Sequence, residues 1–327
     1  MQLREVLNQF LLDCEVRGRS LQTISWYKQR LGLFAQMIDQ EQKVTELEEV
    51  QISHLRQFIQ YLLASKADAH HPNKPAQEHA LSVLTVRGYV RALKVFFVWC
   101  VDEDLLSTNP ATRLRQPKAP VFLVPTFSPE HINALLVACD QKTPLGFRNY
   151  VLLLLLLDTG MRVPELCGLR LADVHDRYVK VFGKGRKERE IGIHPEVSKL
   201  LWKYLHKYRK PASSDEPNVF LNRTGGPLKV SGVEEIFKEL KQKCGLEGVR
   251  VSPHTFRHTF ARMYLEQGGE VFKLSREMGH STIQVTETYL KDFRSTEARR
   301  EHTVFSPISR IDLNQTKRSG RQNKKEK

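Results

Sequence analysis

The segment from Asn109 to Pro125 constrains this chain most. Prolines at 110, 117, 120 and 125 fix φ and remove backbone donors, so neither a helix nor a central strand can run through it. Residues 108–125 are therefore read as a stiff, extended linker rather than a floppy tether. It divides 327 residues into two parts, each large enough to enclose its own core at roughly 150 residues per domain.

Before the linker the apolar residues recur at helical spacing. Leu3, Val6, Leu7, Phe10 and Leu11 mark a first helix, and Ser20 caps a second carrying Ile24, Tyr27, Leu31 and Phe34. Ile52, Leu55, Phe58, Ile59 and Leu62 mark a third. A fourth follows Ser82 with Val86, Val90, Leu93, Phe97 and Cys100. Four such helices can share one core, so residues 1–107 are expected to form a helical domain. The polar stretch Lys66 to His79, with Pro72 and Pro75, is read as an exposed connection.

After the linker, Ser128-Pro129-Glu130 is a helix start with proline at the first helical position. An apolar run from Val151 to Asp158 predicts a buried helix ending near Gly160. Tyr178 to Phe182 and Glu190 to Ile193 alternate as two strands, joined by a turn at Gly183-Lys184-Gly185-Arg186-Lys187. The rest reads as mostly helical, with breaks at Pro211 to Pro217, Gly225-Gly226-Pro227 and Gly268-Gly269. The expected fold is mainly α with a small antiparallel sheet, the second domain spanning 126–309. Residues 310–327 are basic, nearly without apolar content, and expected to be disordered.

Within the second part lies a series of cations and imidazoles: Arg162, Lys184, His254, Arg257 and His280, followed by Tyr289. Two arginines and a lysine suit a transferring phosphoryl group, whose charge is spread over its oxygens, and histidines can bond those oxygens or move protons. A phenol, with its ordinary pKa near about 10, attacks phosphorus only where neighbours take its proton and stabilise its anion. Tyr289 amid cations meets that need. His254, Arg257 and His258 share one helical face, which is too cationic to be stable unless an anion sits on it. Two histidines four apart are also a zinc spacing, but Thr255 replaces the glutamate of that motif and Arg257 would repel a metal. No metal or other cofactor is expected.

The order Arg162, Lys184, His254-x-x-Arg257, Gly279-His280, Tyr289, with a nine-residue step from His280 to Tyr289, resembles the tyrosine recombinases, or phage integrase family. By motif the resemblance runs from about Ser128 to Phe293. In length and layout the chain is most similar to Xer-like recombinases, integrases and transposon-borne relatives. The resemblance implies a helical core-binding domain and a catalytic domain clamping DNA from opposite sides. Tyr289 would then attack a DNA phosphodiester, Lys184 would protonate the departing 5′ oxygen, and Arg162, His254, Arg257 and His280 would hold the phosphate. Glu165 and His258 take supporting roles. Pro164 departs from the family pattern, which often has serine or glycine there.

The balance of 51 Lys+Arg against 37 Asp+Glu, net +14 with a pI near 9.6, favours a polyanionic partner. Arg113, Arg115 and Lys118 in the linker, and Arg186 and Lys187 in the hairpin, are candidates for DNA contact, or are simply solvated. Five widely spaced cysteines form neither a zinc pattern nor a disulfide framework, and the longest apolar run is far short of the ~20 residues that span a bilayer. A bacterial cytoplasmic or nucleoid location is expected, without membrane partners. The family resemblance implies double-stranded DNA as partner, one or two protomers per site, and a homotetramer in the synaptic complex, with accessory directionality proteins. Ser295 to Thr303, then Val304, Phe305, Ile308 and Ile311, would dock on a neighbouring protomer or fold back on their own domain. The competing readings are a type IB topoisomerase-like relaxing enzyme and a non-cleaving DNA-binding accessory protein.

Overall fold

The computed structural model describes residues 1–66, 80–118, 125–183, 187–280, 282 and 286. The readings of the Lys66 to His79 connection, the hairpin tip and the segment beyond Thr286 thus lie largely or wholly outside the described residues. These residues fall into two compact units, divided between Val121 and Phe122. The architecture is mainly α-helical with one two-stranded antiparallel sheet.

The first unit holds α1 (Leu3–Val16), α2 (Leu21–Gln42), α3 (Ile52–Ala64) and α4 (Val83–Asp102). Ser20 and Ser82 cap α2 and α4, their hydroxyls accepting from the amides of Thr23 and Thr85. The apolar stripes face one core, where Phe34 meets Phe58 edge to face at 5.2 Å and Phe10 meets Phe96 at 5.6 Å. Over its described residues, 108–118, the linker opens with turns where an extended form is expected. Asn109 folds the chain into turns, accepting from the Thr112 and Ala111 amides, and Ala111 and Leu114 enter the first core. Two apolar residues three apart can bury one edge of a turn even beside proline. Arg113, Arg115 and Lys118 stay exposed.

The second unit begins with α5 (Pro129–Val137), capped by Ser128, and is built around α6 (Pro144–Thr159). Val151, Leu152, Leu153, Leu155 and Leu156 are all buried, so α6 is apolar nearly all round and lies central. It packs against α8 (Pro195–Lys203) and α10 (Pro253–Glu266). Between them come α7 (Val163–Cys167) and a hairpin of β1 (Tyr178–Phe182) and β2 (Glu188–Gly192). Tyr178 pairs with Gly192 and Phe182 with Glu188, so β2 starts two residues earlier than the alternation suggested. Helices α9 (Val230–Cys244) and α11 (Val271–Met278) complete the unit.

Candidate active site

Glycine ends α6 and thereby shapes the site. Gly160 adopts φ +57°, and a Cβ there would come within 2.2 Å of the Phe260 ring, so both backbone and space demand glycine. The reversal turns the Gly160 carbonyl to Arg257 and presents Arg162 as the N-cap of α7. Pro164 sits in the first turn of α7, where no backbone donor is lost, so the departure from the family pattern leaves this presentation intact.

Glu165 lies on α7 and is 6% exposed. It accepts from the Arg162 backbone N–H at 2.8 Å and from Arg162 Nη1 at 3.1 Å. Arg189, on β2, closes on the same carboxylate with Nη1 and Nη2, each at 2.8 Å. Burial pushes the Glu165 pKa up, but the hydrogen bonds from Arg189 and Arg162 outweigh it and hold the carboxyl below its ordinary value. Arg162 Nη2 continues across to the Gly279 carbonyl at 3.0 Å.

Arg257 emerges from α10 and is 6% exposed. Its Nη1 donates to the Gly160 carbonyl, its Nη2 to the Met278 carbonyl at 2.7 Å, and Nη2 lies 2.9 Å from Nε2 of His280. His280 Nδ1 contacts the hydroxyl of buried Thr286 at 2.7 Å. Burial, then the charges of Arg257, Arg162 and Arg189, push the His280 pKa down to about 4. His258 is also pushed down to about 4, by burial and by His254 and Arg257. His254 is exposed at the start of α10, and its pKa is lowered by burial of part of the ring and by Arg257, Arg250 and Arg162. The two rings on α10 stand 6.0 Å apart.

Arg162, Glu165, Arg257 and His280 are therefore brought together, with His254 and His258 beside Arg257 on α10. Lys184, Arg186 and Tyr289 lie outside the described residues. Lys187 is exposed at the start of the second hairpin arm. Arg162, Arg257 and His254 line a cleft together with Val230, Phe237 and Val251. Arg189 was not singled out from sequence. Its signal was its place two residues before Ile191, on the inward face of an alternating strand, where an unpaired arginine is untenable. Thr286 was likewise missed, since nothing local marks its hydroxyl as a histidine's partner.

A helical catalytic unit whose arginines and histidine converge on one turn defines an enzyme of phosphoryl chemistry. The sequence pattern of the Phage integrase family matches residues 125–295, more than half of the 327-residue chain, and the chain belongs to this family, the tyrosine recombinases. It is 29% identical over 279 residues to the tyrosine recombinase XerD of Listeria monocytogenes, covering 84% of this chain and 89% of that protein. It is 33% identical over 208 residues to the tyrosine recombinase XerC of Chlamydia trachomatis, covering 63% of this chain and 66% of that one. The fold is similar to the Tn1549 transposon integrase in complex with transposon right end DNA, with a TM-score of 0.73 and 20% identity over 94% of this chain and 100% of that one. It is also similar to a lambda integrase dimer bound to a COC′ core site, with a TM-score of 0.67 and 18% identity over 87% of this chain and 97% of that one. The activity is site-specific DNA recombination by breakage and rejoining of strands, and these likenesses lend no support to the topoisomerase or the non-cleaving alternative. Among the described residues no helix is long and apolar enough to cross a membrane.

Proposed function

We propose that Arg162, His254, Arg257 and His280 form the cradle for one DNA phosphodiester, with Tyr289 as nucleophile and Lys184 as general acid. The Tyr289 oxygen passes its proton to a neighbouring imidazole and bonds to phosphorus, the P–O5′ bond breaks, and the departing oxygen takes a proton from Lys184 to leave as a 5′ hydroxyl. The 3′-phosphotyrosine conserves the bond energy, so a 5′ hydroxyl of the partner duplex can reverse the step without ATP. The arginines supply the charge neutralisation that Mg²⁺ gives other phosphoryl-transfer enzymes. Glu165 orients Arg162, and His258 buttresses His254.

The observation that carries this reading is the convergence on Met278, Gly279 and His280. Arg257 bonds the first and third of these and Arg162 the second, so two guanidiniums and an imidazole are held around one turn. Preorganised donors of this kind stabilise charge that develops in a transition state.

In this reading residues 1–107 are the helical core-binding domain, 108–125 the linker, 126–309 the catalytic domain and 310–327 a basic tail. Double-stranded DNA is the partner, as for the transposon integrase and lambda integrase structures, and Arg113, Arg115, Lys118, Arg186 and Lys187 contribute phosphate contacts. One or two protomers occupy each site, a homotetramer forms the synapse with accessory proteins setting direction, and the work is done in the bacterial cytoplasm. The test is a nicked substrate that traps the covalent intermediate. Wild-type protein forms the adduct on a 3′ phosphate, whereas Tyr289→Phe binds the same DNA and forms none. An adduct with the phenylalanine variant would move the nucleophile elsewhere.

A further inference from the structure

One cation outside the motif set is built into the framework of the site. Arg189, the second residue of β2, spends its guanidinium on two targets. Nη1 and Nη2 grip both oxygens of Glu165, and Nε donates to the Glu277 carbonyl at 2.8 Å. Glu165 is the carboxylate that fixes Arg162, and Glu277 opens the turn whose Gly279 carbonyl receives Arg162 Nη2. At Gly279, φ is +62° and a Cβ would stand 2.9 Å from Arg189 Cζ, so any other residue would push this guanidinium away.

The charges explain why one arginine is insufficient. With Arg162 alone, the buried carboxylate would neutralise it, and a neutralised guanidinium offers little to a phosphate. Two guanidiniums on one carboxylate leave a net positive charge. Arg189 is the more enclosed of the pair, its side chain 14% exposed against 38% for Arg162, so the surplus faces outward on Arg162. We infer that Arg189 is a positioning residue for DNA cleavage: it satisfies Glu165 and tethers the 277–279 turn, leaving Arg162 oriented and charged for the scissile phosphate. This rests on the proposed role of Arg162.

The test is a double-mutant cycle in the full-length protein. Single-turnover adduct formation on the nicked substrate, at saturating protein, is measured for wild type, Arg162→Ala, Arg189→Gln and the double variant, with melting temperature and DNA affinity alongside. Displacing a catalytic group by about an ångström costs on the order of 10²-fold, and that is the loss expected for Arg189→Gln, with affinity nearly unchanged. Because Arg189 acts through Arg162, the double variant should be within about threefold of Arg162→Ala alone. Arg189→Lys, which keeps the charge but not the three fixed bonds, should recover part of the rate. It also replaces Arg189→Gln in the cycle if the glutamine variant melts too low to assay. Losses that multiply, or a wild-type rate for Arg189→Gln, would overturn the inference. Failure of wild type to form any adduct would instead overturn the reading of the site.

Discussion

Arg257 Nη2 lies 2.9 Å from His280 Nε2, and that contact fixes which nitrogen of the ring carries its proton. An arginine is always a donor, so Nε2 accepts. Nδ1 then bears the proton and donates to Thr286 Oγ1 at 2.7 Å. His280 is thus held neutral, its acceptor nitrogen aimed at the cation, until a phosphate arrives to compete for both.

Removing the arginine should therefore damage chemistry far more than binding. Arg257→Ala, like Arg162→Ala, is expected to slow adduct formation by at least the ~10²–10³-fold seen when one oxyanion donor is lost. Affinity should fall much less, because binding is spread over many phosphates. Gel shifts and single-turnover cleavage on the same duplex separate the two.

Acid should destabilise the free protein. His258 and His280 are each pushed down to about 4 in the fold, while unfolded histidine titrates near ~6.5. Between those limits the unfolded chain binds more protons, so this contribution is whole above pH ~6.5 and is lost as pH falls toward about 4. The urea midpoint should drop from pH 7.5 to pH 5, and His258→Gln should flatten the slope. Saturating DNA, by opposing the cationic surroundings, should raise both values and lessen the drop.

Two glycines of the same backbone conformation offer a controlled comparison. Gly160 at φ +57° faces Phe260, whereas Gly245 at φ +58° would place a Cβ in open space. Gly245→Ala should cost only the left-handed strain, about 1–2 kcal/mol, and leave cleavage intact. Gly160→Ala should cost more and also move the carbonyl that receives Arg257, slowing cleavage even at temperatures where the protein is folded. Denaturation midpoints and adduct rates of the two variants provide the check.

If guanidiniums and imidazoles carry the charge, chelation should do nothing. Cleavage rates with and without EDTA are expected to be equal. Activity lost to EDTA and restored by a divalent ion would refute the metal-free mechanism.

Much of this was legible in the sequence because its causes are local. Ser20, Ser82 and Ser128 cap the helices they precede, and alternation from Tyr178 to Phe182 makes a strand. The arginine and histidine motifs could be listed in order, but their mutual contacts could not. Arg162 meets Gly279 across 117 residues, and Arg189 meets Glu165 across 24, pairings that exist only once α6, β2 and α11 are packed. The linker misled for the opposite reason: its prolines suggested extension, while Ala111 and Leu114 had a core within reach.

The span of those pairings also sets an order of events during synthesis. The first unit closes its core with helices that follow one another within about a hundred residues, so it can fold as it emerges. The second cannot. Its central helix α6 stays only partly covered until α10 appears, Phe127 waits 132 residues for the Thr259 hydroxyl, and Gly160 waits 97 for Arg257. A nascent chain would hold a finished first unit long before the cation cluster of the second is assembled.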